Sequence, residues 1–288
     1  MTTAPALQVQ PAVPLRRSFA GFGPTVPALA LVLLFFVVPV LALLLRSVLE
    51  PQPGLQNYAE VFGSTTYLKV FTNTFLVAGL VTLVTLLLAF PVAWLLAIAP
   101  RPWSTLLFGI IILSMWTNLL ARTYAWMVLL QRTGIINRAL MQLGLIAEPL
   151  ALINNLVGVT IGMTYIMLPF MILPLHATIR TLDPAVFQAA SLCGASRLQA
   201  FTRVFLPLVA SGVAAGVLMV FVMSLGYFVT PALLGGTSNM MLAELIAQLV
   251  QSLLNWGLAG AAAVVLLAVT LAIYAVQIRF FGFGTPAR

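Results

Sequence analysis

The sequence predicts an all-α, polytopic membrane protein with six transmembrane helices. Three observations predict it. Of the 288 residues, 62% are hydrophobic and only 6% charged, against about 25% charged in ordinary soluble domains. Uncharged runs of membrane length recur along the chain, long enough at about 1.5 Å per residue to cross a hydrocarbon core of about 30 Å. Basic residues fall singly between those runs, the arrangement that orients multi-span proteins rather than the cluster that grips nucleic acid. The formal charge of +8 is therefore read as topological, and no nucleic-acid partner is expected. No stretch is polar enough for a separate soluble domain, so one transmembrane domain is expected over residues 25–280.

Residues 1–24 are rich in proline, alanine and glycine, carry Arg16 and Arg17, and lack apolar periodicity. They read as a flexible tail. A secretory signal is the competing reading, but the 20 uncharged residues 26–45 are long enough to span and no small-residue cleavage site follows at once. They are taken as the first span, with Pro39 tolerated inside it. Residues 46–69 contain Pro51-Gln52-Pro53-Gly54, Asn57, Tyr58, Glu50 and Glu60, a loop of balanced charge. The run 70–100 suits a tilted second span with a kink at Pro91. Arg101-Pro102 makes a short turn, and residues 103–121 make the third span, delivering Arg122 to the opposite interface. Tyr124, Trp126, Arg132 and Arg138 follow in what reads as an amphipathic helix lying on that face.

The fourth span is expected over residues 149–179, carrying Pro169, Pro174, Tyr165 and His176 and closing at Arg180. Residues 204–243 are uncharged and too long for one helix. The turn Gly235-Gly236-Thr237-Ser238-Asn239 is taken to mark where the fifth span has ended, with Glu244 in a short segment beyond. The last span runs from Asn255-Trp256 to Arg279, leaving residues 281–288 as a tail. One end of the bundle then holds Arg16, Arg17, Arg101, Arg180, Arg197, Arg203, Arg279 and Arg288 against the single acid Asp183. The other holds Arg46, Lys69, Arg122, Arg132 and Arg138 against four acids. The excess places both termini, and the segment between the fourth and fifth spans, in the cytoplasm.

That segment, residues 181–207, carries the densest set of local signals in the chain. Asp183 followed by Pro184 is a helix start: a carboxylate N-cap, then proline where its missing N–H costs nothing. Val186, Phe187, Ala190, Ser191 and Gly194 fall at i, i+3, i+4 spacing, a small, weakly apolar face suited to another protein's groove. Gly194 stops the helix, because glycine adopts a left-handed backbone without a Cβ penalty. Ser196 and Gln199 form a capping box that opens a second short helix, ending at Pro207. The lone Cys193 excludes an intrachain disulfide and reads as an interfacial or buried thiol.

The spacing resembles the cytoplasmic EAA loop of permease subunits of ATP-binding cassette importers: Glu-Ala-Ala, three residues, Gly, nine residues, Ile, one residue, Leu-Pro. Here it reads Gln188-Ala189-Ala190, Gly194, Val204, Leu206-Pro207, with Gln188 for the glutamate and Val204 for the isoleucine. Other stretches are similar to spermidine/putrescine-type permeases. They are Trp116-Thr117-Asn118, Arg122 to Trp126, Gly134-Ile135-Ile136-Asn137, the run from Leu168 to Pro174, and Pro231 with Gly235-Gly236. The resemblance implies the type I importer permease fold in a bacterial inner membrane. It implies a second permease subunit, two copies of a cytoplasmic ATPase that hold the ATP and magnesium, and an extracytoplasmic solute-binding protein. It also implies that Asp183, Phe187, Gln188, Ala189, Ala190, Gly194, Leu206 and Pro207 couple the chain to the ATPase. The solute implied is a polyamine, with another small organic solute as the alternative.

The chain holds no GxxxxGK[ST] phosphate loop, no HExxH and no clustered carboxylates. It is therefore expected to be a transport subunit without catalytic residues, metal ligands or cofactor of its own, in contact with membrane lipid. His176 is read as a helix-end or interfacial histidine, and no histidine or lysine is placed to activate Ser211 or Ser224. Polar groups inside a membrane need a partner or a cavity, so Asn73, Thr74, Trp116, Asn118, Tyr165, Ser224, Tyr227 and Glu244 are the pathway candidates. Each has a plainer reading: aromatic belt for Trp116, helix packing for the hydroxyls, exposure to water for Glu244. An ATP-independent transporter or channel is the rival class. It would need ionisable residues at mid-membrane, and the spans supply almost none. A membrane scaffold leaves residues 181–207 unexplained.

Overall fold

The computed structural model describes residues 25–281, so the tail expected at 1–24, and all of the one expected at 281–288 except its first residue, lie outside that range. All regular structure among the described residues is helical. Among the described residues five helices are long and apolar enough to cross a membrane: Val26–Leu49 (α1), Thr65–Ile98 (α3), Leu156–Arg180 (α7), Arg197–Leu225 (α9) and a last one from Trp256 (α12). A sixth crossing is available only to a broken pair, Arg101–Trp116 (α4) and Leu119–Leu130 (α5) with its continuation Ile135–Gln142 (α6), bent by 99°. Shorter helices are Gln56–Gly63 (α2), Pro184–Leu192 (α8), Val229–Leu234 (α10) and Leu242–Gln251 (α11).

Among the described residues, 25–43 form one compact unit and 44–281 a second. In the first, α1 opens with proline in its first turn and widens to a π-turn at Leu33–Val37. That turn ends two residues before Pro39, where the proline ring would otherwise press on the carbonyl one turn back. The same arrangement recurs in the second unit: α9 widens at Phe201–Phe205, two residues before Pro207.

The second unit is built on α3, α7 and α9, which pack on one another. Their buried positions run at every fourth residue: Val77, Val81, Thr85, Ala89 and Ala93 on α3, and Met163, Met167, Met171 and Leu175 on α7. Such stripes bring small and flexible side chains to a narrow seam. On α9 the stripe is Gly212, Gly216, Val220 and Ser224. A Cβ on Gly216 would lie 2.6 Å from Met171 Sδ, and one on Gly212 would strike Thr178. The absence of side chains there is what lets α7 and α9 approach.

A second cluster joins α2, the start of α3, α11 and the start of α12 through Val61, Val70, Leu242, Leu245, Leu249 and Leu258. Hydrogen bonds lock it. Asn57 Nδ2 donates to the carbonyls of Ser47 (2.8 Å) and Glu50 (2.6 Å), Asn73 Nδ2 to that of Ser238 (3.0 Å), and the Leu242 amide to Thr74 Oγ1 (2.8 Å). Asn73 and Thr74 thus anchor the segment before α11.

Three boundaries differ from expectation. The third span ends at Trp116, not near residue 121, because Asn118 caps a new helix that turns away. The fifth ends at Gly226, about ten residues before the Gly235-Gly236 turn, with α10 placed between them. Residues 46–69 are no open loop, since α2 and the first turn of α3 occupy much of the stretch.

Candidate functional site

The segment 181–207 is shaped by local bonds. Asp183 Oδ1 accepts from the Ala185 amide at 2.9 Å, and Pro184 opens α8. At the other end Gly194 has φ of +80°. The Ala195 amide donates to Ala190 O and the Gly194 amide to Ser191 O, both at 3.0 Å. This pair of bonds is a Schellman stop, which needs the left-handed residue glycine supplies. The capping box follows: Gln199 N donates to Ser196 Oγ (3.3 Å) and Ser196 N to Gln199 Oε1 (2.9 Å).

The helix this box opens is not a second short one. It runs straight into the membrane as α9, so Leu206 and Pro207 lie on the span itself, beyond the π-turn, and both are exposed. The corner at Gly194 joins one short helix to one long span. The extra residue of the π-turn absorbs the backbone mismatch at Pro207 without breaking the rod.

Phe187 and Ala190 are half-buried against the bundle, while Val186, Gln188, Ala189 and Leu192 are exposed. The outward apolar stripe is therefore Val186, Ala189 and Leu192, not the face containing Phe187. Leu192 is 89% exposed, and Leu198, just past the corner, 72%. Cys193 is exposed as well, so the thiol is not buried.

Behind α8 the side chains form an aromatic cluster that sequence spacing alone did not reveal. The Phe187 ring lies 6.0 Å from that of Phe205. Phe205 stands 5.4 Å from Phe201, 5.6 Å from Trp94 and 6.0 Å, edge-on, from Phe90. Trp94 also stacks on Phe201 at 5.8 Å. Phe201 and Phe205, and Phe90 and Trp94, are i, i+4 pairs, the one hint the sequence offered. The cluster ties α8 to α3 and α9, each aromatic pair adding about 0.5–1.5 kcal/mol beyond its buried area.

The pathway candidates fall in different places. Asn118 Oδ1 accepts from the amides of Leu120 (2.9 Å) and Ala121 (3.2 Å), so it is occupied as a cap. Trp116, before the break, is 85% exposed. Tyr165 on α7 packs edge-on against Trp126 of α5, with centroids 5.6 Å apart. One turn before Trp126, Arg122 lies in electrostatic reach of Tyr227, whose hydroxyl lies near Thr230. Thr230 in turn meets Thr123 at 3.3 Å. The break between α4 and α5 thus brings Tyr227 to Arg122, Thr123 and Thr230, the last three unremarked as pathway residues from the sequence. Arg122 Nε and Ser224 Oγ are buried there without a hydrogen-bond partner.

Glu244 stands apart, on α11. It does not face water: it is 8% exposed, with Oε2 unpartnered, and burial pushes its carboxyl above the usual range. His176 lies about one turn from the end of α7. It is buried on α7 with its ring 5.5 Å from Phe108.

A family profile described as "Binding-protein-dependent transport system inner membrane component" matches residues 89–281. The spermidine/putrescine transport system permease protein PotB of Haemophilus influenzae is 34% identical over 223 residues, covering 76% of this chain and 78% of that protein. PotB of Escherichia coli K12 is 34% identical over 212 residues, 74% of this chain and 77% of that one. A chain of a bacterial alginate ABC transporter, solved in complex with an alginate pentasaccharide-bound periplasmic protein, superposes with a TM-score of 0.76 at 18% identity, covering 93% of this chain and 96% of that one. At that identity the likeness is one of fold.

Proposed function

The chain belongs to the binding-protein-dependent transport system inner membrane components, and from that premise we propose that it is the permease subunit of a polyamine importer whose helix α8 receives the stroke of a separate ATPase. The 34% identity to two spermidine/putrescine permeases supports the solute class. The coupling reading is carried by one observation: an exposed apolar stripe on α8 backed by the ring contact of Phe187 with Phe205 at 6.0 Å.

In this reading the end bearing Arg101, Arg180, Arg197 and Arg203 faces the cytoplasm, and Val186, Ala189, Leu192 and Leu198 enter a cleft of the ATPase. The ATPase holds the ATP and magnesium, and this chain contributes no catalytic group. A second permease completes the path, and a solute-binding protein delivers the solute at the opposite end. Closure of the ATPase pair displaces α8. Gly194 and the aromatic cluster pass the displacement to α9, and Gly212 and Gly216 pass it to α7. Access alternates because the two states of the ATPase bind the two states of the bundle with different affinity. Tyr165, Tyr227 and Trp116 remain the pathway candidates on the membrane side, and Glu244 a candidate for meeting a cationic solute.

The experiment is reconstitution of the chain with its ATPase, second permease and binding protein, followed by uptake of radiolabelled spermidine or putrescine. ATP-dependent uptake with a crosslink from Ala189→Cys to the ATPase is expected. Uptake of a different solute overturns the polyamine assignment alone. Failure of the crosslink overturns the coupling assignment.

A further inference from the structure

Between α8 and the bundle lies a cavity of about 710 Å³ lined by Trp94, Ile98, Ile179, Phe187, Phe201 and Phe205, with Arg180 and Arg197 also in its lining. We propose that this cavity is a binding site for an anionic phospholipid, its phosphate held by Arg180 and Arg197 and an acyl chain laid against the aromatic wall.

The position fits a lipid headgroup. Ile98 is the last residue of α3, Arg180 the last of α7 and Arg197 the first of α9, so the cavity sits where three spans end. Its size falls within the range of small-molecule pockets, and its lining is mostly apolar. A free anion would leave those rings uncovered, whereas an acyl chain covers them. Basic pockets between spans at a membrane surface are a recurrent form of lipid headgroup recognition.

The charge fits as well. Both arginines are exposed, and the one ion pair among the described residues, Arg46 with Glu50, is elsewhere. Asp183 is near in sequence, but its carboxylate caps α8. Two guanidiniums against one carboxylate leave a net positive site that accepts one phosphate. The side chains of residues 1–24 and 282–288 offer no anion for it, since those stretches contain Arg16, Arg17 and Arg288 and no Asp or Glu.

The inference goes beyond the proposed function, and binding itself depends neither on the ATPase nor on which leaflet holds the site. A lipid seated behind Phe187 would brace the contact through which α8 moves α9.

The test is brominated-acyl phosphatidylglycerol added to the purified full-length chain in detergent, with quenching assigned to Trp94 by subtraction of Trp94→Phe. Brominated phosphatidylcholine and inorganic phosphate are the comparison probes. Stronger quenching of Trp94 by phosphatidylglycerol is expected, with affinity reduced about tenfold or more in Arg180→Gln/Arg197→Gln and unchanged in Arg101→Gln. Equal quenching by the two lipids overturns the proposal. Full displacement by millimolar phosphate overturns it in favour of a free anion. Loss of ATPase association in the double variant with lipid binding intact overturns it in favour of a protein occupant. The wild-type comparison stands even if the double variant fails to fold.

Discussion

Phe187 on α8 and Phe205 on α9 are eighteen positions apart in the chain, yet their rings stand 6.0 Å apart, tilted by 48°. Between them the chain leaves one helix, reverses at Gly194 and re-enters the bundle. The contact closes that excursion into a rigid loop, because Phe205 is itself held by Trp94 and Phe90 of α3. A force on α8 therefore reaches two spans at once.

Truncation of either ring separates stability from coupling. Phe205 is buried and Phe187 half-buried, so Phe205→Ala is expected to cost about 3–5 kcal/mol and Phe187→Ala clearly less. A double-mutant cycle should give an interaction of about 1 kcal/mol, read from thermal melts of the purified chain. In proteoliposomes Phe187→Ala is expected to retain the ATPase, since the outward stripe is intact, but to import less solute per ATP. Full uptake per ATP in that variant would sink the linkage.

Gly194→Val tests the corner. A Cβ there meets no atom within 4 Å, so crowding is not the issue, but φ of +80° is a conformation a β-branched residue resists. The strain is about 1–3 kcal/mol. It is expected to shift α8 against α9, leaving membrane insertion intact while uptake falls and ATP hydrolysis persists. Gly194→Asn, which tolerates the left-handed region better, should restore most of the uptake. Equal loss in both variants would show that the backbone angle is not what matters.

The ends of α8 were legible in the sequence because caps are local: Asp183, Gly194, Ser196 and Gln199 each act within a few residues. The span boundaries at Trp116 and Gly226 were not. Residues 103–121 and 226–234 are uncharged throughout, and hydropathy is blind to a 99° bend inside such a run. Asn118 illustrates the ambiguity, since the polar atom read as a pathway candidate is engaged as a helix cap. The aromatic cluster was hidden for a different reason. It joins residues about a hundred positions apart, and nothing in the spacing of Trp94 or Phe205 says which helix the other faces. Leu192, the most exposed apolar residue beside the corner, was missed because i, i+3, i+4 spacing assigned the outward face to Phe187 and Ala190, which pack inward.

The seam between α7 and α9 should be intolerant of bulk in proportion to what a side chain would meet. Gly216→Leu would drive atoms into Met171, and Gly212→Leu into Thr178 and the Pro174 carbonyl. Each is expected to destabilise by about 1–3 kcal/mol or more and to lower the melting temperature in detergent. Gly109→Leu, where a Cβ meets nothing within 4 Å, is the matched control. A melt shifted as far by the control as by Gly216→Leu would mean the close approach of α7 and α9 is not what the glycines serve.

Glu244→Gln distinguishes a solute contact from a structural burden. The carboxyl is buried with one oxygen unpartnered, and burial pushes its pKa up. The folded chain therefore holds a proton that the unfolded chain releases, over the interval between the ordinary carboxylate value and the raised one. Stability is expected to rise as pH falls through that interval and to level off below it. Glutamine carries no charge to desolvate, so the variant should melt higher than the parent at neutral pH, the gap closing as acid protonates Glu244. If the carboxylate also meets a cationic solute, uptake falls while stability rises, a combination that misfolding cannot produce. A variant that melts lower than the parent at neutral pH, the deficit vanishing in acid, would show instead that the ionised carboxylate is held by an attractive partner.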